Sequence, residues 1–178
     1  MAVIYVGRPA IDRTSSGWTD YTIVNQGLVA NDSGIIDTVG IYSFSNLTGC
    51  KVIIFQQIDA THLTARSFAS LADVVSGAER IITVDKNGNP LSLNIVAGDL
   101  IGIYTTTGIV RRATSGFDNI LYIVGDQSAC SNKAFSTYAD DCISIYGTGA
   151  TGATGIKWNG VTISKWNGQV ITKLNGLP

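Results

Sequence analysis

The sequence predicts an all-β protein, a jelly-roll-like antiparallel β-sandwich followed by a short C-terminal β-repeat appendage, and three observations predict it. First, 22 Ile, 14 Val and 18 Thr stand against one Glu and one Met, so side chains that suit a pleated surface abound where good helix formers are scarce. Second, short segments of alternating apolar and polar residues recur about every 8–12 positions, bounded by turn residues. Third, 20 glycines and only 14% charged residues describe a turn-rich chain with a sparsely charged surface. A hydrophobic content of 45% excludes disorder.

The expected strands run in order. Residues 2–6 and 21–24 come first. In residues 35–44, Val39, Ile41 and Ser43 share one face while Tyr42 and Phe44 share the other, so both faces carry bulk. Residues 51–58 contain Val52-Ile53-Ile54-Phe55, a continuous apolar run expected of a strand covered on both sides. Residues 64–68, 79–84 and 91–96 follow, and the last two are separated by Asp85-Lys86-Asn87-Gly88-Asn89-Pro90, where Asn87-Gly88 supplies a hairpin turn. Gly98-Asp99 then turns the chain into a strand in which Leu100, Gly102 and Tyr104 alternate with Ile101 and Ile103. Gly102 either admits a bulge or lets a bulky neighbour cross the backbone. Residues 109–112, 119–124 and 142–146 complete the set, and only residues 67–76 are spaced for a helical turn or two.

One domain, residues 1–147, accounts for these strands and is long enough to bury a core without disulfides or metal. Residues 148–155 read as a Gly/Ala/Thr linker, with glycine at every second and then every third position. Residues 156–178 carry Lys157-Trp158-Asn159-Gly160, Lys165-Trp166-Asn167-Gly168 and Lys173-Leu174-Asn175-Gly176, three copies at a strict spacing of eight. Each Asn-Gly is a hairpin signal, because both residues tolerate positive φ. An appendage this small cannot build its own core. It must pack on its own sandwich, on copies of itself or on a foreign surface, with Trp158 and Trp166 as anchors. The flexible linker favours the intermolecular choices, so Trp158, Asn159, Gly160, Trp166, Asn167, Gly168, Leu174, Asn175 and Gly176 form the expected assembly or attachment element.

Composition excludes several functions. A net charge of -1, from 12 Lys+Arg and 13 Asp+Glu, provides no footprint for nucleic acid or an anionic membrane. Asp99 and Gly102 interrupt the most apolar stretch, so nothing approaches the roughly 18–20 residues of a spanning helix. The first nine residues lack the basic and apolar regions of a secretory signal, and the chain is expected to fold in the cytoplasm. Phosphate-cradling glycine loops are absent, and no cofactor is expected.

Chemistry is equally sparse. His62 is the only histidine, so any histidine-based acid-base pair would have to be built around it, and its setting reads as an ordinary loop. Glu79 is the only glutamate, and 12 aspartates, Asp140-Asp141 among them, single out no carboxylate pair. Asp85-Lys86-Asn87-Gly88-Asn89 opens like a calcium loop, but Pro90 stands where its glycine belongs and no Glu closes it. Cys50, Cys130 and Cys142 are odd in number and show no CxxC spacing. They read as buried thiols, with a Cys130–Cys142 bridge as the alternative. The expectation is a non-enzymatic protein without a metal site. Carbohydrate binding is the one ligand reading, through Trp18, Tyr21, Phe117 and Tyr138, with Tyr104 and Tyr122 as further candidates; core packing is the ordinary alternative for all six.

The segments Ala97-Gly98-Asp99-Leu100-Ile101-Gly102-Ile103-Tyr104, Ser115-Gly116-Phe117 and Ile143-Ser144-Ile145-Tyr146-Gly147-Thr148-Gly149 resemble jelly-roll-type modules of tailed-phage and virus-like virion surface proteins. The Asn-Gly repeats resemble short terminal repeats attached to virion proteins, and the likeness spans residues 90–176. This resemblance implies a virion structural protein, a capsid decoration, head-fibre or tail-associated protein. It further implies a homo-oligomer, with a trimer as the expected state, assembled in the host cytoplasm and displayed on the virion surface beside other virion proteins. The alternative is a carbohydrate-binding adhesin module whose sandwich loops hold a glycan.

Overall fold

The computed structural model describes residues 2–151, together with the backbone of four short strands between residues 156 and 170. Among the described residues every helix or strand is a strand: β1 (Val3–Gly7), β2 (Ser15–Ser16), β3 (Tyr21–Asn25), β4 (Gly34–Tyr42), β5 (Lys51–Gln57), β6 (His62–Ser70), β7 (Glu79–Ile82), β8 (Leu93–Ile95), β9 (Leu100–Tyr104), β10 (Arg111–Ala113), β11 (Asn119–Val124), β12 (Lys133–Ala134), β13 (Ser136–Ala139), β14 (Cys142–Ile143) and β15 (Ile145–Ala150). All pairings among the described residues are antiparallel, as expected of the sandwich.

The first sheet runs β1-β15-β4, with β8 and β7 both on the far edge of β4, and the second contains β6-β5-β9-β3. Taken in chain order, the main strands are β1, β3, β4, β5, β6, β8, β9 and β15. One sheet then holds the first, eighth, third and sixth, and the other the second, seventh, fourth and fifth. That interleaving is a jelly roll, in which a long antiparallel ribbon wraps so that its ends and its middle share sheets.

An insertion between β9 and β15 elaborates this frame. β11 and β13 extend the second sheet beyond β3, while β12 adds to its opposite edge at β6, giving the order β12-β6-β5-β9-β3-β11-β13. Phe135 alone separates β12 from β13, so the sheet curls until its two ends nearly meet.

Two cores follow. Ile23, Val52, Ile54, Ile101, Ile103 and Ile120 face the first sheet. Their strand neighbours Val24, Ile53, Phe55, Leu100 and Leu121 point into the curl, where Phe135 closes it edge-on against Phe55 at 5.8 Å between ring centroids. The continuous run in β5 is thus buried on both faces because both faces meet a core. Gly102 resolves to the second of its two readings. Its pairing with β3 and β5 is regular, and a Cβ there would stand 2.8 Å from the Ile23 carbonyl oxygen and 3.0 Å from the Phe55 ring.

Three expectations are corrected. The helical turn in residues 67–76 does not form: β6 continues to Ser70, and beyond it Leu71 and Val74 are both buried and tied to Cys50 and Leu47 by backbone hydrogen bonds. The hairpin at Asn87-Gly88 is shorter than expected: the Leu91 amide donates to the Thr83 carbonyl at 2.9 Å and the Asp85 amide to the Asn89 carbonyl at 2.8 Å, but β7 and β8 do not pair with each other. They lie end to end along β4, and the turn closes only a small excursion through the Val84–Pro90 bridge. Within it the Asp85 carboxylate accepts the Asn87 and Asn89 amides, at 2.8 and 2.9 Å. Finally, 148–150 are strand, not linker. β15 runs to Ala150 between β1 and β4, and the alternating glycines there serve close packing. A Cβ on Gly149 would lie 1.9 Å from the Ile35 carbonyl oxygen, and one on Gly147 would press on Ile36, Val6 and Ile101.

Candidate functional site

Trp18, Tyr21, Tyr122 and Tyr138 converge at one end of the sandwich. Tyr21 opens β3, Tyr122 lies in β11, and Tyr138 stands opposite Ile120 on β13, all on the sheet face that meets the inter-sheet core. Trp18, just before β3, sits centrally, with ring centroids 5.0 Å from Tyr122, 5.8 Å from Tyr21 and 5.9 Å from Tyr138. Three of the rings are half-buried, and Tyr138 is 42% exposed.

A small sheet, β14-β10-β2, covers this cluster, and from it comes Arg112. Its guanidinium carbon lies 4.4 Å from the Trp18 ring centroid and 5.0 Å from that of Tyr138, a cation held by two aromatic faces. Nε donates to the Ser16 carbonyl at 3.0 Å and Nη1 donates to Asp141 at 2.8 Å. Asp141 is fully buried, and its Oδ1 has no hydrogen-bond partner among the described residues. Burial pushes its carboxyl up to about 6, with the Arg112 charge opposing. Beside it, the Asn25 side chain spans the join between β3 and the insertion, accepting from the Ile143 amide at 2.9 Å and donating to the Ile143 carbonyl at 3.1 Å.

The remaining candidates lie apart. Phe117 sits under Arg13 and Arg8, whose guanidinium carbons are 4.9 and 5.5 Å from its centroid. Tyr104 points to the other face of its sheet and donates to Asp20 at 2.9 Å. Trp158 and Trp166 fall in described strands, while Asn159, Gly160, Asn167, Gly168, Leu174, Asn175 and Gly176 lie outside the described residues. Strand β16 (Ile156–Trp158) pairs with β17 (Val161–Ile163), and β18 (Lys165–Trp166) pairs with β19 (Gln169–Val170). Trp158 faces Val161 and Trp166 faces Gln169, so each pair leaves only an Asn-Gly dipeptide between its strands.

Elsewhere, His62 forms a half-exposed pair with Asp59, 2.9 Å apart. Asp59 is held at about 2 by the Thr61 and His62 amides and the His62 ring, a turn-capping arrangement. All three cysteines are free, and the Cys130–Cys142 bridge is not formed. No cluster of three or more metal-ligating side chains occurs among the described residues.

Arg112, Asp141, Arg8 and Arg13 are the site residues that the sequence reading missed. The doublet Arg111-Arg112 inside an apolar strand was a usable signal, because a charge placed there must find a partner. Taken together, the fold and this site define a jelly-roll-like β-sandwich in which Trp18 and Tyr138 hold the Arg112 guanidinium at one end. The chain matches no protein-family model and no curated protein.

Proposed function

We propose that the chain is a non-enzymatic structural protein of a virion, in which the jelly roll is displayed and the C-terminal repeats join copies, as a trimer, or fix them to the particle. The observation that carries this reading is the pairing of the repeats into two separate two-stranded units, β16 with β17 and β18 with β19, at the eight-residue period of the sequence. A hairpin of two or three residues per strand is marginal alone in water, so such units need a surface, and self-association supplies one with matching repeats. The sequence resemblance to virion surface modules supports the same class.

A second feature supports self-association. Among the described residues β7 pairs with β4 along one side only, and Ile81, Val75 and Val84, each about half exposed, border a recess of about 330 Å³ next to it. Open strand edges with apolar neighbours are surfaces that a second chain can extend. The test is Trp158→Ala combined with Trp166→Ala, followed by sedimentation velocity. Dissociation of an oligomer with the sandwich still folded supports the reading. An unchanged oligomer, or a monomer before and after substitution, removes assembly through the repeats. A glycan array on the same preparations then decides whether the carbohydrate-binding alternative, with Trp18, Tyr21 and Tyr138, takes its place.

A further inference from the structure

The end of the sandwich that carries the aromatic cluster gathers four of the six arginines, Arg8, Arg13, Arg111 and Arg112. Three aspartates answer them. Asp118 pairs with Arg8, Asp12 with Arg111 at 2.8 Å, and Asp141 with Arg112 at 2.8 Å. Arg13 is left over. It is only 8% exposed, yet among the described residues it has no carboxylate partner; its single hydrogen bond runs from Nη2 to the Pro9 carbonyl at 3.2 Å, and its Nε is buried without an acceptor. Nε of Arg8 is likewise buried and without an acceptor among the described residues. The two guanidiniums share the Phe117 ring, and both charges act on the Tyr5 phenol and the Cys142 thiol, which places them in one corner.

A cation removed from water needs a counter-charge or a full set of acceptors. One backbone carbonyl and an aromatic face do not provide it. The guanidinium fork matches a planar or tetrahedral oxyanion, and Arg8, whose side chain is 23% exposed, opens the corner to solvent. We propose that Arg13 and Arg8, backed by Phe117, form a binding site for the carboxylate or sulfate group of a small ligand. The site is independent of the C-terminal repeats and of their role in assembly.

The test titrates the full chain calorimetrically with sodium sulfate, acetate, glucuronate and glucose, at constant ionic strength set with chloride. Saturable binding of the anions and none of glucose is expected, and Arg13→Met should weaken it by about tenfold or more, the loss expected for a charge-assisted contact. Arg80→Met, which removes an exposed arginine elsewhere, should leave binding unchanged. Glucuronate binding more tightly than acetate identifies a saccharide-borne carboxylate, whereas equal affinities identify a free oxyanion; both outcomes uphold the site. Should Arg13→Met not fold, Arg8→Met gives the same reading from the solvent side. Absence of saturable anion binding in the millimolar range, or binding undiminished by substitution of either arginine, overturns the proposal.

Discussion

Replacing Asp141 by Asn is expected to make the protein more stable at neutral pH, although it removes half of a buried ion pair. Asp141 is fully buried, has one oxygen without a partner among the described residues and receives one bond from Arg112. Its carboxyl is raised from 3.8 to about 6, because burial outweighs the attraction of Arg112. A carboxyl whose folded-state value lies above its unfolded value stabilises fully below the unfolded value, and that contribution is lost as pH rises through the folded value. Ionised Asp141 therefore weighs against folding at about pH 7.5 by roughly 1–3 kcal/mol. Asp141→Asn, a neutral isostere, should recover that amount in urea unfolding at about pH 7.5 and show little difference from the parent near about pH 4. Arg112→Met should act oppositely, destabilising by roughly 3–5 kcal/mol at neutral pH because it strands the buried carboxylate, and by less in acid. If Asp141→Asn is destabilising by the same amount at both pH values, the pair is a net stabilising clamp and the reasoning fails.

Other consequences concern packing and thiols. Phe135→Ala empties the closure of the curled sheet and should lose roughly 3–5 kcal/mol, with the largest gain in amide exchange in β12 and β13; uniform loss of protection would contradict that closure. Gly149→Ala forces a Cβ against the Ile35 carbonyl and should destabilise by about 1–3 kcal/mol or more in thermal unfolding. Gly77→Ala meets no atom within 4 Å and strains only its φ of 88°, so it should cost roughly 1–2 kcal/mol. Timed alkylation with mass spectrometry should find three free thiols. Cys130, the least buried, should react first, and Cys50, pushed up to about 12 by burial, should react only on unfolding.

Much of the fold was legible because β-branched alternation carries strand position and facing together. β5, β9 and β11 fall where alternation and turn residues put them, and Ile101 and Ile103 oppose Leu100 and Tyr104 as read. The extent of β15 was not legible. Glycines at alternate positions look like a flexible segment in linear sequence, yet Gly147 and Gly149 are small because neighbouring strands press on them. The turn at Asn87-Gly88 was identified, but whether its flanking strands pair with each other or both lie on β4 depends on a partner distant in sequence. The same limit governed the site. The linear sequence presents Trp18, Tyr21 and Tyr138 as separate residues, and their meeting around Arg112 arises from strand pairing between segments roughly a hundred residues apart.

Copies come together only when the repeats are present, whatever the open edge at β7 adds to the contact. Light scattering on the full chain and on a chain ending at Thr154 measures this directly, since that truncation keeps β15 and the contacts of Thr151 with Ala2. The account predicts a trimer for the full chain and a folded monomer for the shortened one. Equal masses for the two, whether both monomeric or both oligomeric, would contradict it.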